Sequence, residues 1–231
     1  MLLLGIETAT WMGSVALLDD RAGVLGELNL KSTASHSERL VPSLDRLFME
    51  TGKSLEECDG ICVSIGPGSF TGLRIGLATA KGLAYAADKP VAGISTLEVL
   101  ASGVPFAEFP ICPVVDARKK EVFTAIFQWK GLELICLERE MAVTPETLIR
   151  KIEKPTIFVG NGLSLYGDSF RQGLKDKAIF ISHAFDFPRA SILAELGLKR
   201  FAQKKISHPE DLVPIYIRPS EAELNWKQKK K

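Results

Sequence analysis

The chain reads as apolar runs of strand length alternating with longer stretches of helical period. Leu2–Glu7 is apolar on both faces, so it predicts a central strand in a covered sheet. Ser14–Leu18 and Val24–Leu30 predict two more strands joined through Asp19-Asp20-Arg21-Ala22-Gly23, which makes an antiparallel meander. Ser35-His36-Ser37-Glu38 has the spacing of a capping box, with Ser35 as N-cap. The helix it opens carries Leu40, Leu44, Leu47 and Phe48 on one stripe, contains Pro42 and stops at Gly52. Gly60–Ile65 is a buried strand, Leu73–Ala87 an alanine-rich helix, Lys89–Ile94 a short strand, and Ser95 starts another helix. Ser102–Pro110, with Gly103, Pro105 and Pro110, is the boundary, which divides the chain into residues 1–102 and 103–231.

A second meander follows at Ile111–Asp116, Glu121–Phe127 and Leu132–Leu137. Thr144 caps a short helix with Pro145 at its first position, and Thr156–Gly160 is a strand followed by Asn161-Gly162. No element is assigned between Gly162 and the short strand Ala178–Ile181; Ala190–Gln203 is an amphipathic helix with Ile192, Leu193, Leu196 and Phe201 inside. The second half therefore repeats the element order of the first, which predicts a duplicated fold without a sequence repeat. The tail Lys227–Lys231 reads as a frayed, solvated end.

Composition changes little in this picture. The 231 residues carry a net charge of +1 and are 46% hydrophobic, so no global field draws the chain to nucleic acid or membrane. No apolar run reaches membrane-spanning length and Met1–Leu4 lacks a signal peptide's basic region, so the cytoplasm is expected. Cys58, Cys62, Cys112 and Cys136 show no metal spacing and read as buried or half-buried free thiols. His36, His183 and His208 fit no zinc or triad pattern, and His36 reads as a surface residue. No metal and no cofactor are expected.

The candidate chemistry lies in Gly66-Pro67-Gly68-Ser69-Phe70-Thr71-Gly72-Leu73-Arg74-Ile75-Gly76, between a strand and a helix. Gly66 and Gly68 can take positive φ, and N–H groups in such a turn can hold an anion or another backbone. Gly66, Gly68, Ser69 and Thr71 are thus either tight-turn architecture or an anion cradle. Gly72, Gly76, Ala80 and Ala84 form a ridge of small side chains that fits either the domain's own sheet or a helix of a second chain. Arg74, in the first turn, opposes the helix dipole by ~0.3–1 kcal/mol and calls for a compensating carboxylate or anion.

Gly5-Ile6-Glu7-Thr8, His36–Pro42, the Gly66–Gly76 block, Ile94–Glu98 and Tyr216–Glu223 together resemble the TsaB (YeaZ) family. The resemblance implies a duplicated actin-like, ribonuclease H-like fold of the actin, sugar kinase and heat-shock-protein superfamily (ASKHA), two α/β subdomains each with a mixed sheet flanked by helices. It implies a non-catalytic partner subunit in the bacterial machinery that makes threonylcarbamoyladenosine on tRNA. The catalytic sister TsaD and the ATPase TsaE are the partners, tRNA is met only through the complex, and the protein alone is a homodimer. The sister's metal-binding His-x-x-x-His is replaced here by Thr96 and Leu100, and Gly160-Asn161-Gly162 is what remains of an adenosine loop. Asp116 reads either as a turn cap or as a residue that holds a metal through water. Partner pairing through the first-domain helices then falls to Leu40, Leu44, Leu73, Arg74, Gly76, Leu77, Ala80, Lys81 and Ala84. An active small-molecule kinase or carbamoyltransferase of the same fold is the alternative.

Overall fold

The computed structural model describes residues 1–31 and 35–218. The motif residues Pro219–Glu223 and the lysine tail lie outside the described residues. The first half runs β1 (Leu2–Glu7), β2 (Met12–Asp19), β3 (Gly23–Lys31), α1 (His36–Thr51), β4 (Gly60–Gly66), α2 (Phe70–Ala86), β5 (Val91–Ser95) and α3 (Thr96–Ser102). The second runs β6 (Ile111–Asp116), β7 (Val122–Lys130), β8 (Glu133–Val143), α4 (Pro145–Lys151), β9 (Thr156–Val159), α5 (Leu163–Leu174), β10 (Ala178–Phe180) and α6 (Ala190–Ala202). One sheet is ordered β3-β2-β1-β4-β5 and the other β8-β7-β6-β9-β10. In each, the three meander strands are antiparallel and the last two add in parallel. The predicted duplication is therefore present strand for strand. The sequence reading passed over α5, whose Gly167 and Gly173 lower its helix propensity; Phe170 and Leu174, both buried, hold it in place.

Local chemistry sets the helix ends. The Glu38 carboxylate accepts from the Ser35 backbone N–H at 2.7 Å and from its hydroxyl at 2.8 Å, which closes the start of α1. Gly52 ends α1 in the left-handed region at φ 63°, and the helix runs unbroken through Pro42. Ser69 caps α2, its hydroxyl accepting from the Gly72 N–H at 3.2 Å, and Thr144 caps α4 in the same way.

The layers follow from strand alternation. Leu2, Leu4 and Ile6 point to the core beneath α1 and α2, while Leu3 points to the opposite face of the sheet. That opposite face is covered by α6, through Leu193, Ala194 and Leu196 against Leu3, Cys62 and Ala92. In return α3, through Leu97, Leu100 and Ala101, packs on Ile111, Val115 and Phe127 of the second sheet. α6 thus follows the second sheet in the chain and lies on the first. The parallel strands within each mixed sheet need both faces covered, and exchange of the last helices supplies this. Among the cysteines, Cys58, Cys62 and Cys112 are buried, whereas Cys136 is exposed.

Candidate functional site

The C-terminal ends of β1, β4, β6 and β9 open into one cleft of about 820 Å³ between the two halves. Crevices at the carboxyl ends of parallel strands are where this class of sheet holds ligands. One wall is Ala9–Trp11, the Pro67–Thr71 turn and the start of α1; the other is Val115–Arg118 with Asn161 and Ser164. Residues 215–218 complete the lining.

The organising turn sits at this cleft, and its parts are largely committed to the fold. Gly66 takes φ 111°, as the glycine reading requires. Gly68 is not left-handed; a Cβ there would run into the Ala9 carbonyl, so glycine is needed for close approach. The Ser69 N–H donates to that same carbonyl at 2.7 Å. The turn thus holds another backbone through Ser69, and the Thr71 side chain lines the cleft. Among the described residues Arg74 meets an aromatic ring and a hydroxyl: its guanidinium lies 3.9 Å from the centre of the Phe70 ring, and its Nε–H donates to the Tyr216 hydroxyl at 3.3 Å.

The small ridge on α2 faces inward. Gly72, Gly76, Ala80 and Ala84 are buried against the first sheet, and a Cβ on Gly76 would meet the Thr8 hydroxyl. The expectation that Leu40, Leu44, Leu73, Gly76, Leu77, Ala80 and Ala84 form a partner surface is therefore corrected: all seven belong to this chain's own interior. A helix with glycine and alanine toward its sheet sits close to it, gaining dispersion contacts there. Arg74 is exposed and Lys81 is half-buried, its ammonium donating to the Glu210 carbonyl at 3.3 Å. The outward face of α2 is Arg74, Ala78, Gly82 and Tyr85, and beside it α1 presents Val41, Asp45 and Met49. Tyr85 is 86% and Met49 74% exposed, large values for such residues on adjoining helices.

The acidic residues behave unlike one another. Glu7 is fully buried and accepts from the Ala9 N–H at 2.6 Å and from the Ser64 hydroxyl. Ser64 Oγ lies 3.2 Å from Thr96 Oγ1, so Thr96 closes a buried polar chain. Burial pushes the Glu7 carboxyl up to about 7, against the two hydrogen bonds that favour its charged form. Its carboxyl is bonded inside the protein, and Glu7 is not among the residues that line the cleft. Leu100 lies in the core of the second sheet. Thr96 is thus a hydroxyl spent on Ser64, and Leu100 an isobutyl group in an apolar core. Asp116, at the end of β6, accepts from the Arg118 N–H at 2.9 Å, the turn-capping role among its two readings.

His36 is half-buried rather than on the surface. Its Nε2–H donates to the Thr10 carbonyl at 2.8 Å, and its Nδ1 accepts from Arg39 Nη2 at 3.0 Å. Burial, aided by the Arg39 charge, lowers its pKa and keeps the ring neutral in this tautomer. Arg39 also donates to the Leu30 and Trp11 carbonyls, tying α1 to β3 and to the turn before β2. Sequence reasoning missed Arg39 and Arg118 as lining residues; the i, i+3 spacing of His36 and Arg39 on one helix face was the available signal.

The chain fits the family model TsaD, tRNA N6-adenosine threonylcarbamoyltransferase, over residues 22–226. It is 31% identical to the tRNA threonylcarbamoyladenosine biosynthesis protein TsaB of Bacillus subtilis, over 100% of both chains. It is likewise 31% identical to TsaB of Haemophilus influenzae, over 98% of this chain and 96% of that one. The solved structure of YeaZ from Pseudomonas aeruginosa superposes with a TM-score of 0.78 and 27% identity, covering 93% of this chain and 99% of that chain. The activator of the 2-hydroxyisocaproyl-CoA dehydratase from Clostridium difficile, with bound ADPNP, shares the fold alone, at a TM-score of 0.50 and 12% identity over 90% and 98%. The architecture is the duplicated actin-like one that the resemblance implied.

Proposed function

This chain belongs to the TsaB (YeaZ) family of tRNA threonylcarbamoyladenosine biosynthesis proteins, and from that premise we propose that it is the non-catalytic subunit of the modification machinery. Its catalytic sister is TsaD, the ATPase TsaE joins the pair, and tRNA is met through the complex in the cytoplasm. The observation that carries this reading is the pair Thr96 and Leu100, which bring a spent hydroxyl and a core isobutyl group where the sister's resemblance calls for two imidazoles. The buried Glu7 supports it, since it is not among the residues that line the cleft.

The docking surface in this proposal is the outward face of α1 and α2: Val41, Met49, Ala78, Gly82 and Tyr85. Ala78 and Gly82 let a partner helix lie close, and Tyr85 and Met49 supply large apolar anchors. One surface serves both for self-pairing and for pairing with TsaD, so the two compete. Co-purification with the sister subunit, followed by nucleoside analysis of tRNA from a depleted strain, tests the reading. Loss of threonylcarbamoyladenosine on depletion and recovery of the heterodimer are expected. Ala78→Arg should leave the fold intact and abolish both pairings. Calorimetric titration with ATP separates the alternative: tight binding and turnover by the chain alone would overturn the non-catalytic assignment.

A further inference from the structure

After α6 the chain returns to the first half and then crosses to the second. Ser207 pairs with Val91 at the edge of β5, in both directions at 2.9 and 3.1 Å. Leu212 is buried in the core beneath α2. The Ile215 N–H donates to the Ile65 carbonyl at 2.7 Å, at the end of β4. The Tyr216 ring packs 5.1 Å from Phe70, in the first turn of α2. The next two residues are on the other side: Ile217 packs with the core of the second sheet, and Arg218 Nη1 bonds the Glu121 carboxylate at 2.6 Å. Arg218 Nη2 donates to the Ala117 carbonyl at 3.0 Å.

The grip of Arg218 has a specific geometry. Ala117 and Glu121 are the two ends of the β6–β7 turn, and the Ala117 N–H donates to the Glu121 carbonyl at 3.1 Å. Between them Arg118, Lys119 and Lys120 stand at φ 61°, 51° and 61°. Three successive left-handed residues that are not glycine persist only where the surroundings over-determine them. One guanidinium holding both ends of that turn is such a surrounding.

We propose that Leu212–Arg218 is a latch: it fixes the opening of the cleft between the two halves and holds the β6–β7 turn in its left-handed form. The exchanged helices α3 and α6 join the halves at their sheet faces, where an ion pair of Arg200 with Glu98 at 2.7 Å binds one to the other. The strap adds a tie across the cleft itself, and it is built of few contacts, so it is the tie that can open. Tyr216 hangs it on α2, and Arg218 hangs it on β6–β7. Both contacts are made within the chain itself.

The test places spin labels on Thr71→Cys and Ser164→Cys, exposed positions on opposite cleft walls, in a Cys136→Ser background. A single narrow distance distribution is expected in the otherwise native chain. Arg218→Ala should broaden it toward longer distances and raise amide exchange at residues 116–122 by about tenfold, the scale of losing one charge-assisted hydrogen bond. Tyr216→Ala should broaden the distribution from the other end of the strap. Arg218→Lys, which keeps one charge but cannot hold both ends of the turn, should fall between. Unchanged distances and unchanged exchange in both alanine variants, with the fold intact by thermal melting, would overturn the latch.

Discussion

The two halves share a backbone plan and fill it differently. β4 ends in, and β9 is followed by, a glycine at nearly the same left-handed angle, Gly66 at φ 111° and Gly160 at 115°. Each is followed, two residues on, by a glycine packed under the strand that precedes it in the sheet, Gly68 against Ala9 and Gly162 against Val114. A backbone bond fixes each turn: Ser69 N–H to the Ala9 carbonyl at 2.7 Å and Gly162 N–H to the Val114 carbonyl at 2.9 Å. The acids ending β1 and β6 have parted. Glu7 is sealed in a polar chain with Ser64 and Thr96, whereas Asp116 caps a turn at the cleft. The helices after the glycine turns have parted too. α2 lays small residues on its sheet, while α5 packs Phe170 onto Phe158, centroids 5.1 Å apart. The difference teaches that the conserved element of a duplicated plan is the turn geometry, and that side-chain volume beneath each helix is free to vary once that geometry is kept.

Substitutions can break this comparison at graded strength. The largest effect is expected from charges placed under the sheets. Ala80→Arg and Val159→Asp each bury an unpaired charge at a fully buried position, one in each half. Each should cost ~4 kcal/mol or more and leave no folded soluble chain, as read by expression and circular dichroism. A soluble Ala80→Arg with an unchanged melt would show that the ridge does not face the sheet.

The polar chain gives the next effect, and its sign is set by Glu7. The folded chain holds this carboxyl at about 7 against 4.5 for an ordinary one, so between those pH values the folded state keeps a proton that the unfolded chain has released. Stability from this group is therefore fully present below pH 4.5, falls as pH rises toward 7, and is flat above. Relative to Glu7→Gln, which carries no titrating proton, the native chain should lose about 3 kcal/mol across that window in denaturant titrations.

Helix caps should tell the halves apart less. Ser35→Ala and Thr144→Ala remove the caps of α1 and α4 and should each lower stability by ~1 kcal/mol in urea unfolding. The smallest perturbation is chemical: in native buffer a thiol reagent should label Cys136 and spare Cys58, Cys62 and Cys112. Burial raises the thiols of Cys58 and Cys112, to about 11 and about 12. Labelling of three or more cysteines without denaturant would show the cores are open.

The sequence by itself determined what rests on local rules. Strand alternation, the Ser35–Glu38 box, Gly52, the Thr144-Pro145 start and the repeated order of elements all depend on neighbours in the chain, and each stands in the structure. Tertiary structure decided what depends on partners distant in sequence. The ridge on α2 could have faced a sheet or a second chain; Thr8, sixty-four residues from Gly72, accepts the first by donating its hydroxyl to the Gly72 carbonyl at 2.8 Å. The placement of α6 on the first sheet was set by an uncovered apolar face that no local pattern encodes. The cleft, likewise, draws His36, Arg39, Asp116, Asn161 and Tyr216 together from four separate stretches. Period and capping are properties of a segment, whereas which face a segment buries is a property of whatever comes to lie against it.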